Sequence, residues 1–154
     1  MVDDIINVKN IIIMYFFNNN IKNSCLAQSF IFYKYLKKIG MNPQLIKGYI
    51  YNNDDKIYYG HFWIECDNVI YDIATETYVL FFNEKLRNNI KEKRCLTKKI
   101  PNDYKCLDND SFEEIRNNSY VNCLNDQFLY DVQKNAHNTI YNKIKCIYDL
   151  IINS

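Results

Sequence analysis

The hydrophobic pattern of this chain changes from a helical to a strand period near Gly40, and this change constrains the fold more than any other feature. Before it, apolar residues recur every three or four positions, which predicts helices over residues 4–17 and 25–39. After it, short segments rich in aromatic and β-branched residues predict strands. The predicted strands span residues 44–51, 57–65 and 68–73. Helices followed by a run of strands indicate an α+β fold.

Asparagine and aspartate clusters mark the ends of these elements. Asn18–Asn20 end the first helix, and the second has two candidate N-caps, Asn23 and Ser24. The segments 52–55 and 67–68 separate consecutive strands and predict two tight hairpins. The three strands are therefore expected to form a small antiparallel meander.

The second half of the chain carries weaker signals. Residues 84–110 are polar and mixed, and no element is predicted there. Helical spacing near the end predicts an amphipathic helix over about residues 126–152. Its apolar positions are Leu129, Val132, Ala136, Ile140, Ile144, Ile147 and Ile151. We expect one domain over residues 1–154, with a core over 1–78 and an extension over 79–154.

The composition is biased toward four residue types. The chain holds 23 Asn, 22 Ile, 16 Lys and 14 Tyr among 154 residues. All four have A/T-rich codons, so the bias is typical of an A/T-rich genome, such as that of a virus, a protist or a bacterium. Motifs of Asn, Lys or Tyr then arise by drift and say little. The rarer residues are more informative, and all three Gly, the one Trp and one of the two His lie between Gly40 and Trp63.

Charge and hydropathy exclude several classes of protein. The net charge is +1, which favours neither nucleic acid nor an anionic membrane as partner. The longest apolar run, Ile11–Phe17, is too short to span a bilayer. Asp3 and Asp4 stand where a signal peptide needs a basic start. These features predict a soluble protein of a reducing, cytoplasmic compartment.

Two groups of residues suggest RNA binding. Lys91–Arg94 and Lys98–Lys99 form basic clusters near Tyr104, and the strand region 49–59 is rich in tyrosine. At this net charge a solvated basic loop is the better interpretation of the clusters. The sequence therefore predicts no nucleic-acid partner.

Six cysteines stand at positions 25, 66, 95, 106, 123 and 146, and no two of them form a CxxC pair. A site of Cys95, Cys106, Cys123 and His137 has spacings that match no familiar zinc pattern. We therefore predict no metal and no organic cofactor. Apart from Cys25, the cysteines are expected to be buried, reduced thiols.

Cys25, His61 and Asp72 occur in an order that suits a thiol nucleophile. Cys25 starts a predicted helix, whose free N–H groups stabilise a thiolate and a developing oxyanion. A neighbouring imidazole can take the thiol proton and return it to a leaving group. A carboxylate on the next strand can orient that imidazole.

The predicted strand geometry brings His61 and Asp72 together. Alternation along the strand places Tyr59, His61, Trp63 and Glu65 on one face. With a turn centred between residues 66 and 67, the numbers of cross-strand partners add to about 133. Asp72 is then expected opposite or diagonal to His61, inside the third strand.

These residues resemble a known family. Ser24-Cys25-Leu26-Ala27-Gln28-Ser29, followed by His61-Phe62-Trp63-Ile64-Glu65 and Tyr71-Asp72, is similar to the transglutaminase-like superfamily of cysteine enzymes. The cysteine segment also resembles the leader peptidases of lasso-peptide biosynthesis. The resemblance covers about residues 24–73. It departs from the family at Phe62, where a small residue is common, and it does not extend beyond residue 78.

The resemblance implies a papain-like core with the catalytic helix packed on a small antiparallel sheet. Cys25 would be the nucleophile, His61 the general base and acid, and Asp72 the orienting carboxylate. Trp63, Glu65 and Gln28 would be supporting or cleft residues.

The expected activity is thiol hydrolysis of peptide or isopeptide bonds in a protein or peptide substrate. Acyl transfer to an amine and deamidation of glutamine remain open, because both share the thioester intermediate. A catalytically silent binding module with the same fold is a further alternative. It predicts a buried Cys25, or a His61 and Asp72 that do not converge on it.

Overall fold

A computed structural model of the protein describes residues 2–22, 24–52, 57–98, 134–135 and 138–154. In chain order its elements are α1 (Val2–Asn18), α2 (Cys25–Lys38), β1 (Gln44–Asn52), β2 (Ile57–Cys66), β3 (Val69–Tyr71), α3 (Ile73–Val79), α4 (Glu84–Lys93), β4 (Arg94–Thr97) and α5 (Thr139–Ile152). The predicted α+β class is confirmed. Among these elements, no helix combines the length and the hydropathy that a membrane crossing requires.

The four strands form one antiparallel sheet in the order β3-β2-β1-β4. β1 and β2 pair along their whole lengths, from Gln44 opposite Glu65 to Asn52 opposite Ile57. Residues 53–55 of the connection predicted between them lie outside the described residues. The second hairpin turns through Asp67 and Asn68, whose φ angles of 50° and 62° are left-handed. Asn and Asp tolerate that region best among non-glycine residues, which explains this two-residue turn.

The end of the second hairpin differs from the prediction. β3 stops at Tyr71, because Asp72 is the N-cap of α3 and its Oδ1 accepts the Thr75 N–H at 3.3 Å. The predicted register was also wrong, since Cys66 pairs with Val69 and partner numbers therefore add to 135. The turn centre lies one residue later than assumed. Each residue thus exchanges its partner for one two positions away, which keeps every side chain on its predicted face.

Helix α2 lies at the centre of the fold. Residues 28–33 are all buried, so the helix buries more than the single apolar face that its sequence pattern indicated. It packs against β2 on one side and against α1, α3 and α5 on others. The core around it contains Ile12, Phe16, Phe30, Phe32, Leu36, Phe62, Ile64, Ile73 and Ile147. Each such side chain contributes roughly 1.5–3 kcal/mol by leaving water, so α2 is held rigidly.

Two predictions for the second half need correction. Residues 84–97 form α4 and β4, where no element was predicted; Asn83 caps α4 by accepting the Leu86 N–H at 2.9 Å. The cluster Lys91–Arg94 is therefore not a loop but the end of a helix and the start of a strand. β4 has four residues, too few to show a pattern by themselves.

The C-terminal helix is shorter than the predicted 126–152. α5 begins at Thr139, because the Asn138 side chain accepts the Ile140 N–H at 2.9 Å and caps the helix there. The predicted segment 126–133 lies outside the described residues. Ile144 and Ile147 of α5 are buried against the core, as their spacing indicated.

Candidate active site

Cys25 is the first residue of α2 and lines a cavity of about 280 Å³. Its side chain is half-buried, and His61 lines the same cavity. Ser24 occupies the N-cap position but its side chain makes no capping bond; its Oγ accepts a hydrogen bond from Gln28 Nε2 at 2.9 Å instead. The first N–H groups of α2 are therefore left uncapped by Ser24 beside the thiol, where a helix end attracts negative charge.

His61 connects Cys25 to Asp72. The imidazole Nε2 lies 2.6 Å from Asp72 Oδ1, and the same carboxylate oxygen accepts the Thr75 N–H. With Nε2 engaged by Asp72, Nδ1 is the ring nitrogen left for Cys25, whose proximity is one cause of the raised pKa of His61. His61 is only 8% exposed, so water competes little for these bonds. The structure thus brings the three predicted catalytic residues together.

Proton affinities in this cluster are shifted in opposite directions. Burial by itself lowers the pKa of His61, but hydrogen bonds to Asp72 and Cys25 and their negative charges outweigh it and raise the pKa to about 9. Burial raises the pKa of Asp72, but the His61 ring and Thr75 outweigh burial there and hold it below its usual value. The pair therefore exists as imidazolium and carboxylate near neutral pH.

Two hydrogen bonds hold the helix of Cys25 against the elements of its partners. Ser29 Oγ donates to the Phe62 carbonyl oxygen at 3.1 Å, one residue from His61. Thr77 Oγ1 donates to Gln28 Oε1 at 2.6 Å and so joins α2 to α3, the helix that Asp72 caps. Both bonds are buried. Gln28, predicted as a supporting or cleft residue, lines the cavity and orients Ser24 as well.

Trp63 and Glu65 do not line the cavity. The Trp63 indole is 1% exposed and stacks on His61, with ring centroids 6.2 Å apart and planes 27° apart. Its Nε1 donates to Glu65 Oε1 at 3.3 Å, and Glu65 Oε2 accepts from Lys98 Nζ at 3.1 Å. They were predicted as supporting or cleft residues, and their position beside the imidazole corresponds to the first of these two roles.

Gly48 makes room for the Trp63 ring. A Cβ built on Gly48 would lie 2.4 Å from the indole and 2.7 Å from the Thr97 carbonyl oxygen. Gly48 pairs with His61 across β1 and β2, so the indole covers the backbone directly opposite the imidazole. The glycine is required here by close packing.

Several residues of the cavity were not found from the sequence. They include Lys22, Thr75, Thr77, Tyr78 and Arg94. Arg94 had been assigned to a solvated basic loop, whereas its guanidinium packs over the Tyr78 ring at 4.8 Å. One signal was present: the chain has 16 Lys and three Arg, so arginine lies outside the compositional drift.

The remaining cysteines follow the prediction in part. Cys66 is buried, but Cys95 and Cys146 are exposed free thiols, contrary to the expectation of burial. Of the zinc candidates, Cys106, Cys123 and His137 lie outside the described residues. Within the described ranges, no group of three or more His, Cys, Asp or Glu side chains could hold a metal ion.

Comparisons with protein-family models, with curated proteins and with solved structures gave no match. Conclusions about the site therefore depend on its geometry. A thiol at a helix N-terminus, an imidazole bonded to a half-buried carboxylate, and a cavity open beside them are the parts that nucleophilic acyl chemistry requires.

Proposed function

We propose that the protein is a thiol hydrolase that cleaves peptide or isopeptide bonds through a Cys25-His61-Asp72 triad in a papain-like, transglutaminase-like core. The observation that carries the proposal is the 2.6 Å bond between His61 and Asp72 on the ring whose other side faces Cys25. A structural histidine needs one satisfied partner. This one has a carboxylate on one nitrogen and a cavity-lining thiol near the other.

The first half-reaction forms a thioester. The Cys25 thiolate attacks the carbonyl carbon, and the resulting oxyanion is stabilised by the uncapped N–H groups that begin α2. The His61 imidazolium then gives its proton to the leaving amine, the C–N bond breaks, and the acyl group remains on sulfur. Asp72 keeps its bond to Nε2 throughout, so the proton leaves from Nδ1.

The second half-reaction releases the acyl group. His61, now neutral, removes a proton from a water molecule, whose oxygen attacks the thioester carbonyl. The C–S bond breaks, a carboxylic acid leaves, and the thiolate–imidazolium pair is restored. An amine in place of water would give acyl transfer by the same steps, so the identity of the acceptor is a measurable property of the enzyme.

The test is site-resolved alkylation with iodoacetamide at mildly acidic pH, followed by mass spectrometry of each cysteine. We expect Cys25 to react much faster than Cys95 and Cys146, which are exposed thiols of the same chain and serve as internal controls. Substitution His61→Ala should bring Cys25 to the rate of these controls. A Cys25 that reacts no faster than Cys95 in the wild-type protein would contradict the proposal.

A second arm identifies the acceptor. Incubation with casein and a fluorescent primary amine distinguishes release of peptide fragments from attachment of the amine. Hydrolysis predicts fragments that are absent with Cys25→Ala. Labelled casein without fragments would assign acyl transfer instead.

A further inference from the structure

Apart from the thiolate proposed for Cys25, the charged side chains around the cavity are cationic. Lys22 and Arg94 line it together with Cys25 and His61, and among the described residues neither an aspartate nor a glutamate lines it. With His61 held as imidazolium, three cationic groups face one space. The net charge of the whole protein is only +1, so the overall charge does not explain why cationic groups gather at this cavity.

Aromatic rings position the two cationic side chains. Arg94 stands over the Tyr78 ring at 4.8 Å and Lys22 over the Phe81 ring at 4.7 Å. Tyr78 lies in the last turn of α3, and Phe81 follows the end of that helix. A ring face orients a cation but accepts none of its N–H groups in the way a carboxylate does. Among the described residues, neither side chain donates a hydrogen bond to a protein acceptor.

The Nε–H group of Arg94 gives a more specific indication. This donor is buried, yet among the described residues it has no hydrogen-bond partner. A buried donor without an acceptor costs free energy, so such a group calls for a ligand. Thr75 Oγ1, which lines the same cavity, is also buried and unpartnered within the described chain. Arg94 and Thr75, each with one such buried polar atom, thus both line the same cavity.

Asp72 does not neutralise Arg94. The two residues line an adjoining cavity of about 200 Å³, but no ion pair joins them. Asp72 Oδ1 is occupied by His61 and Thr75. Lys91 lines this adjoining cavity too, which adds a further positive charge near Arg94. Arg94 begins β4 and pairs with Asn52 of β1, so its backbone is held by the sheet.

From this arrangement we infer that Arg94, supported by Lys22, binds a carboxylate of the substrate beside Cys25. The planar guanidinium fork matches a carboxylate in a bidentate bond, which a lysine cannot reproduce. This inference rests on the proposed function for the reaction itself. It specifies the substrate class as an acyl compound with a carboxylate close to the bond that Cys25 attacks, either a chain terminus or an acidic side chain.

The test uses two alkylating probes with the same reactive group, N-bromoacetylglycine and N-bromoacetylglycinamide. In each case the sulfur–carbon bond forms as bromide leaves, and the probes differ only in a terminal carboxylate or amide. At Cys25 we expect the acid to react about tenfold faster relative to the amide than it does at Cys146, an exposed thiol of α5 that lines neither cavity; this is the gain expected of one charge-assisted hydrogen bond.

Substitutions locate the source of this preference. Arg94→Gln should abolish the acid preference at Cys25, whereas Arg94→Lys should retain part of it. Lys85→Gln removes the same charge from an exposed position of α4 outside the cavity and should leave the preference unchanged. If Arg94→Gln impairs folding, wild-type protein decides the matter by itself, because sodium acetate should then slow the acid probe and spare the amide probe.

The outcomes separate the two proposals. The absolute rate of the amide probe at Cys25 reports on the reactive thiol, whereas the acid-to-amide ratio reports on the carboxylate site. An equal ratio at Cys25 and Cys146, or a preference that survives in a folded Arg94→Gln protein, would overturn the inference and leave the hydrolase proposal intact. Stronger protection by inorganic phosphate than by acetate would overturn the assignment to a carboxylate. Two matched pairs of peptides distinguish the sources of the carboxylate by their rates of cleavage. A difference between a free and an amidated C-terminus assigns the chain terminus, and a difference between Glu and Gln near the cleaved bond assigns the acidic side chain.

Discussion

The two faces of β2 are buried to a similar degree, but one packs apolar side chains and the other holds hydrogen-bonded polar groups. Phe62 and Ile64, at 5% and 0% exposure, pack into the core beneath α2. His61 and Trp63, at 8% and 1%, lie on the alternate face, and their polar atoms have defined partners in Asp72, Cys25 and Glu65. Depth alone therefore does not distinguish packing residues from candidate catalytic residues. The difference is that the second face buries hydrogen-bonded charge.

Removing hydrocarbon from the core face should have the largest effect on stability. Ile64→Ala should lower the free energy of unfolding by about 2–5 kcal/mol, because it leaves a cavity beneath α2. Urea unfolding followed by circular dichroism measures this, and Cys25 in the remaining folded protein should stay fast toward iodoacetamide. Ile70→Ala, at a residue of β3 that is 57% exposed, is the control and should cost far less. Equal decreases in the free energy of unfolding in the two variants would mean that burial of the core face does not stabilise the fold.

Breaking the polar face should affect reactivity more than stability. In Asp72→Asn the amide oxygen can still cap α3, so the fold should persist. The imidazolium loses its charged partner, and the alkylation rate of Cys25 at mildly acidic pH should fall by about 10- to 100-fold. Asp149→Asn, which alters an exposed carboxylate of α5, should leave the rate unchanged. A reactive Cys25 in the Asp72→Asn protein would show that this face has no catalytic arrangement to disturb.

The fit between Gly48 and Trp63 should be sensitive to a single methyl group. Gly48→Ala places a Cβ against the indole and should cost about 1–3 kcal/mol of stability. Since the chain has one tryptophan, its near-ultraviolet circular dichroism reports the displacement of the ring directly. Gly40→Ala is the contrasting variant. It suffers from a φ of +86°, but its Cβ meets nothing within 4 Å, so the tryptophan signal should not change. An unaltered signal in Gly48→Ala would contradict the packing described for Trp63.

The titration of His61 sharpens the comparison without disturbing the fold. Because its pKa is raised to about 9, the ring should keep its proton through neutral pH and lose it only as the pH rises toward that value. A histidine without partners loses it near 6.5. Proton NMR of the imidazole C–H resonances measures this, with the resonances assigned by His61→Gln. Asp72→Asn should move the midpoint down, and a midpoint near 6.5 in the wild-type protein would refute the charged pair.

The success of the sequence analysis followed the strength of each local signal. Helical spacing and turn residues located α1, α2 and the β2–β3 turn to within one or two residues. The contact between His61 and Asp72 was anticipated although the register was wrong, since an error of two positions preserves the face of a strand. Helix α4 and strand β4 were missed. α4 has no buried residues, and four residues do not reveal a period.

The sequence by itself determined the class of fold, the position of Cys25 at a helix start and the shared face of His61 and Trp63, because periodicity and caps are local properties. Tertiary structure decided the rest. Asp72 reaches His61 as the cap of α3, Thr77 holds Gln28 from a helix 49 residues away, and Arg94 enters the cavity on a strand that pairs with β1. Such contacts join segments with no fixed spacing along the chain, and they form only when burial of the common core brings those segments together.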